Sequence, residues 1–439
     1  MSGPKTSEYT LTLEQRANLN AQNRCDSSIL ACIERIKSLQ NQVAISMGSV
    51  QIYDDCGNDE SVALTNSLKE KLLEIEHLKK ALSDRFDVMS GYQRPGIITL
   101  SDEELSRKKA ILEKLKAVKT DITKLLKEIE KCGKQSQELK AQISLDIQEN
   151  LGSSFDLSWD VPKEPDAPSI KDDIVSVLSD LLGLSALSLE LRVKIQNAIE
   201  KANNINNDDF LENFRAVTVK PIVDECQAYI RNMELYGAEF EELEAEYIVL
   251  CSQLHIAAKK FIISESGVAE LKAEIAKLQN ELLEDSEQEY IADAIDEVME
   301  EMGYDLIGSR EVTKKSGKRF RDELYTFSEG TAVNIRYDNQ GKIAMELGGI
   351  DSTDRLPSSS EASRLEDEMV AFCDKFTEFE KRLAAKGIVC KNRVSHLPPK
   401  AEYAQIINTS DYDMKTEVKT FKTERRSAKG ESKKQHRNE

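Results

Sequence analysis

The feature that most constrains this chain is a spacing. Ile111, Leu115, Val118, Ile122, Leu125, Ile129, Cys132, Ser136, Leu139 and Ile143 follow one another in steps that alternate four and three. Held for about five heptads, that pattern lays an apolar stripe along one side of a long helix, and the stripe requires a partner helix. Leu68, Leu72, Ile75, Lys79, Leu82 and Phe86 keep the same spacing one segment earlier. Between the two stripes Gly91, Pro95 and Gly96 break the helix, and Ser101 with Glu104 three residues on reads as a capping box. The stripes suit an antiparallel hairpin within one chain or pairing between two chains, because both use one pattern.

Composition agrees with long solvated helices. Of 439 residues, 32% are charged and 6% aromatic, with nine prolines and a single tryptophan, Trp159. That balance is unlike a compact α/β enzyme, and the length leaves room for two or three domains. The net charge of −19 is uneven: Lys415 to Glu439 carries nine Lys/Arg against four Asp/Glu, which leaves −24 on the rest. An acidic body repels nucleic acid and membrane surfaces, so charge can draw only the tail to either.

After a Pro-rich stretch, residues 151–168, helices are expected at roughly 169–182, 186–203 and 207–217. Pro221 opens a longer helix whose stripe runs from Cys226 through Phe240 and Tyr247 to Phe261. Heptads restart at Val268 and run to Leu282, and a further amphipathic stretch carries Ile291, Ile295, Val298 and Met302 up to Gly303.

Beyond Gly303 the period changes to two. Strands are expected at "YDLIGSREVT", "RFRDELYTF", "TAVNIRY" and "KIAMEL", joined by short loops into an antiparallel meander. Its apolar face needs cover, and the helix ending at Met302 and one carrying Leu365, Met369, Phe372, Phe376, Phe379 and Leu383 flank it. The expected class is mainly α: heptad-patterned helices (a coiled-coil hairpin and a helical bundle) with a C-terminal α+β domain, a four-stranded antiparallel meander covered by two helices. The divisions are 1–150 N-terminal coiled-coil helices, 151–168 linker, 169–285 helical bundle and coiled coil, 286–412 α+β head, and 413–439 disordered basic tail.

Catalytic signatures are sparse. Four histidines lie in separate segments with no HxxxH spacing, and no GxGxxG, GxxxxGK[ST] or GxSxG occurs. No catalytic, cofactor-binding or metal residue is assigned, and no cofactor is expected. Asp351 and Asp354 in "GGIDSTDRLP", two carboxylates three apart after a strand end and a Gly pair, are the strongest candidate for holding a hard cation, against the simpler explanation that they turn and cap the chain while Arg355 pairs with an acid. The hairpin tip with Arg310, Lys314, Lys315, Lys318, Arg319 and Arg321 is the candidate nucleic-acid contact, against the simpler explanation of a solvated, edge-protecting turn. Eight scattered cysteines without a CxxC pair read as buried filler in a reducing compartment. The N-terminus lacks the apolar run of a signal peptide. The expectation is a soluble, cytoplasmic, non-enzymatic scaffold or adaptor whose head docks a partner protein, with a homo-oligomer through the heptad helices as a candidate state and no membrane contact. The alternatives are a nucleic-acid-associated factor using hairpin and tail beside a partner ATPase, and a metal-dependent hydrolase in the head.

Overall fold

The computed structural model describes residues 4–52, 59–154, 169–184, 187–313, 319–338 and 341–414. The protein is mainly α with an α+β domain. It divides into two compact units, one of Met1–Asn20, Gly96–Leu100 and Leu283–Glu439, the other of Ala21–Pro95 and Ser101–Leu282. Among the described residues no helix is long and apolar enough to cross a membrane.

In the second unit, α1 (Leu13–Ser49, from Ala21 on), α2 (Asp59–Ser90) and α3 (Asp102–Ser154) share one core. The stripe residues Leu115, Val118, Ile122, Leu125, Ile129 and Leu139 are buried there with Leu68, Ile75 and Leu82 of α2 and with Ile29, Ile36 and Val43 of α1. Ile111 and Ile143 pack at its margin. The stripes are thus covered within one chain, by two helices rather than one. Of their two polar positions, Lys79 is exposed and Ser136 is buried, its Oγ donating to the Gln51 carbonyl at 2.5 Å. Residues 151–154 continue α3, and Phe155 and Trp159 lie outside the described residues.

Short helices α4 (Ile170–Leu182), α5 (Leu189–Asn204) and α6 (Asp208–Phe214) begin at Ser169, Ser188 and Asn207, whose side chains each accept a backbone N–H of the first turn. A π-helical turn, Arg215–Val219, leads into α7 (Lys220–Gln253). The helix was expected to reach Phe261. Instead it ends at Gln253, His255 turns at φ 55°, and Phe261 folds back edge-on to Tyr247 with ring centroids 5.2 Å apart. α8 (Glu265–Glu301) is continuous where two segments were expected.

The first unit is built on an eight-stranded sheet in which Ile388–His396, Lys5–Leu11, Lys342–Asp351, Thr331–Asp338, Arg319–Ser328, Leu306–Thr313 and Asp413–Met414 lie side by side in that order, with Ile406–Asn408 parallel to Lys342–Asp351 and the other pairs antiparallel. The expected meander is β2 (Leu306–Thr313), β3 (Arg319–Ser328), β4 (Thr331–Asp338) and β5 (Lys342–Asp351). β6 (Ile388–His396), β7 (Ile406–Asn408) and β8 (Asp413–Met414) extend it, so the first two residues of the expected tail are paired with β2. Residues 415–439 lie outside the described residues.

The largest departure is β1 (Lys5–Leu11), which was expected among the N-terminal helices and instead lies between β5 and β6. Its inward positions are Lys5, Ser7, Tyr9 and Leu11. Two of them are polar, which hides the period-two signal. Lys5 reaches over the Phe376 ring at 3.6 Å, where burial lowers its pKa, and Ser7 Oγ lies 2.9 Å from His396 Nε2.

One sheet face, with Val333, Ile335, Ile343, Met345 and Leu347, is covered by Ile295, Val298 and Met299 of α8 and by Leu365, Phe372 and Phe379 of α9 (Ser359–Ala385). On the other face the 401–414 segment lays Ile407 and Tyr412 over Leu324, Ala332 and Ile350. That approach depends on two glycines: a Cβ at Gly308 would meet Met414 Sδ at 2.8 Å, and one at Gly348 would meet Ile407 at 2.9 Å.

Candidate functional site

The basic residues expected to form one patch are divided by the pleat. Arg310 stands opposite Asp322 across the β2–β3 pair, whereas Arg321 stands opposite Glu311, so the two arginines point to opposite faces. Arg319 opens β3 opposite Thr313. Lys314, Lys315 and Lys318 lie outside the described residues.

On the face away from α8, Asp322 is wholly buried between two cross-strand arginines. Arg310 Nε donates to Asp322 Oδ2 at 2.9 Å, and Arg336 Nε donates to Oδ1 at 2.8 Å. Arg310 also donates to Asp411 at 3.1 Å and lies 4.5 Å over the Tyr412 ring. Each of these guanidiniums spends donors within the fold, which reduces what remains for a phosphate backbone.

The face under α8 has the opposite balance. Arg321, Glu323 and Tyr325 occupy successive inward positions of β3, with Tyr337 of β4 opposite Arg321. α8 brings Asp293 and Asp296 to the same place. Glu323 is 0% exposed. The Tyr325 hydroxyl is hydrogen-bonded to Asp296 Oδ1 and lies 2.9 Å from Glu323 Oε2, and the Tyr337 hydroxyl donates to Asp296 Oδ1 at 3.2 Å. Arg321 pairs with Asp296 at 3.4 Å and with Glu323. Burial, with Glu323 beside it, pushes the Asp296 carboxyl up to about 7, and burial likewise raises Asp293. The Tyr325 and Tyr337 phenols are driven well above their ordinary value by burial first, then by Glu323 and Asp296 for Tyr325 and by Tyr325 and Asp296 for Tyr337. Perturbed acids mark candidate sites. Sequence reasoning passed over this one, although Glu323 between Arg321 and Tyr325 at inward positions was a signal.

The Asp351 loop has its carboxylates engaged. Arg355 Nε donates to Asp351 Oδ2 at 2.7 Å, Thr353 Oγ1 lies 3.3 Å from Oδ1, and Asn408 donates to Asp354 at 3.1 Å. Arg355 grips Glu361 through two bonds of 2.9 Å, while Ser358 and Glu361 form the capping box of α9. Arg355 holds Glu361 down at about 2 and Asp351 below its usual value. Among the described residues no cluster of three or more His, Cys, Asp or Glu suits a metal ion.

The helical unit has two distinct features. Lys108 Nζ, buried, donates to Asp26 Oδ2 at 2.9 Å and Gln22 Oε1 at 3.0 Å, and Tyr92 donates to Asp26 Oδ1 at 2.5 Å. There the charges match one to one. A groove of about 540 Å³ also opens between α2 and α3. Ile75, Leu82, Leu125 and Cys132 form its floor, and Leu78 stands 49% exposed at its edge.

Comparison of the chain with family models, with curated proteins and with solved structures gives no match.

Proposed function

We propose that the protein is a non-enzymatic scaffold or adaptor, and that the α2–α3 groove takes an amphipathic helix of a partner protein. The observation that carries this reading is the groove itself, an apolar floor between two charged rims. From Lys71 to Arg85 α2 rises about 21 Å, roughly four turns, which is the span of a short docked helix. The rims carry both signs: Lys71, Glu74 and Arg85 on α2, and Asp121, Lys124 and Glu128 on α3. Mixed rims fit a helix whose apolar stripe is flanked by alternating charges, and they disfavour a polyanion. Leu78 and Ala81 of α2 supply exposed apolar surface beyond the floor. The head remains a second candidate docking surface. A cytoplasmic setting suits the buried thiols Cys32 and Cys132, whose pKa values burial raises.

The test is a photoreactive residue placed at Leu78 in the full chain in native cells, with a second at exposed Val88 as control. Crosslinks from Leu78 should converge on residues three and four apart in one helix of one protein, and Ala81→Asp, which places a charge in the groove lining, should abolish them. Crosslinks scattered like those from Val88 would overturn the reading. Crosslinks to the same chain, with a doubled mass by light scattering, would make a second copy the occupant.

A further inference from the structure

The contacts beneath α8 require a proton that ionised side chains do not supply. Tyr325 has one hydroxyl hydrogen and two carboxyl oxygens within bonding distance, Asp296 Oδ1 and Glu323 Oε2. If it donates to one acid, the contact with the other is a hydrogen bond only when that carboxyl carries a hydrogen and donates to the phenol oxygen. Tyr337 cannot fill the gap, because its own hydrogen goes to Asp296 Oδ1. Charge leads to the same place. The groups facing this point are Asp293 and Asp296 from α8, Arg321, Glu323 and Tyr325 from β3, and Tyr337 from β4, with exposed Glu311 across the β2–β3 pair. One guanidinium faces two directly hydrogen-bonded acids and a third nearby. Among the described residues the buried Glu323 Oε1 has Arg321, itself shared with Asp296, as its one close cationic partner. A second negative charge there is not compensated.

We infer that Asp296 and Glu323 share one proton across the α8–β3 contact at neutral pH, and that this proton latches the last turns of α8 onto the sheet. Its loss places two anions against one phenol oxygen and pushes α8 away from β3. The latch is therefore closed in mildly acidic solution, begins to release near neutral pH and is weakened in alkaline solution. Between about pH 4 and 7 the folded chain holds a proton that the unfolded chain has released, so the folding equilibrium constant falls as pH rises, by up to about tenfold per pH unit from this site.

The experiment compares the full chain with Asp296→Asn and Glu323→Gln. Each amide keeps an acceptor oxygen for Tyr325 and removes one ionisation. Denaturant unfolding is measured from pH 5 to 9, and hydrogen exchange of the Ile291–Met302 amides is followed after correction for the intrinsic rate. The ratio of the variant to the wild-type folding constant should rise by up to about tenfold per pH unit toward pH 7 and then level. Wild-type α8 amides should lose protection above pH 8, and those of Asp296→Asn should keep it. A ratio independent of pH, or α8 protection in the wild type that does not change with pH, would overturn the inference. If Asp296→Asn does not fold, Glu323→Gln reads the same balance. If neither folds, the wild-type exchange profile alone decides.

Discussion

Asp322 and Glu323 are neighbours on β3, both wholly buried, and they stand in opposite electrostatic situations. Asp322 faces two guanidiniums, whereas Glu323 shares one with Asp296. Strand geometry alone separates them, because adjacent residues point to opposite sides of the sheet. A buried carboxylate with two guanidiniums around it fixes both of its partners. One with half compensation favours sharing a proton with the acid beside it. The pair teaches that burial does not decide how an acid behaves; the count of donors around it does.

The largest expected effect comes from breaking the compensated side. Asp322→Ala leaves Arg310 and Arg336 facing each other across β3 without their shared anion and should cost about 3–5 kcal/mol. Denaturant unfolding checks this, and the loss should be nearly constant from pH 5 to 8, since both guanidiniums left unpaired stay charged throughout that range. A loss that grows with pH would mean the two faces are not electrically separate.

The smallest effect sharpens the other side. Tyr337→Phe removes one hydrogen bond to Asp296 and leaves Tyr325 in place, so it should cost about 0.5–1.5 kcal/mol. Without that donor the Asp296 anion is less favoured, so Asp296 should titrate higher than in the wild type. A carbon-detected carboxyl titration reports the direction.

Part of this was legible in the sequence. The α3 stripe was readable because its inward positions from Leu115 through Val118, Ile122 and Leu125 to Cys132 are apolar, and the meander was readable because Val333, Ile335, Ile343 and Met345 alternate cleanly. β1 was not, because its inward Lys5 and Ser7 are satisfied only by Phe376 and His396, far along the chain. α8 was read as two pieces for a similar reason. Its buried Ser286 and Glu287 interrupt the apolar pattern, and Glu287 accepts from Leu11 N at 2.9 Å and Thr10 Oγ1 at 2.7 Å. A head beginning at residue 286 would lack the strand that joins β5 to β6. The basic hairpin looked like one patch because a list of residues carries no pleat, and only the β2–β3 register assigns Arg310 and Arg321 to different faces. For the acid pair, Glu323 was visible as an odd inward residue, but its partner Asp296 is supplied by a helix in another part of the sequence. Polar inward positions are where local pattern fails, since their partners are set by topology.

The most direct measurement is the carboxyl titration of Asp296 itself in the full chain, by carbon-13 chemical shift with Glu323 followed in the same spectra. The expected result is an Asp296 midpoint near 7, with the Glu323 resonance responding in the same pH range because the two share the proton. An Asp296 midpoint near the ordinary value of about 4, with no coupled response from Glu323, would contradict the shared proton and with it the contrast between the two faces of β3.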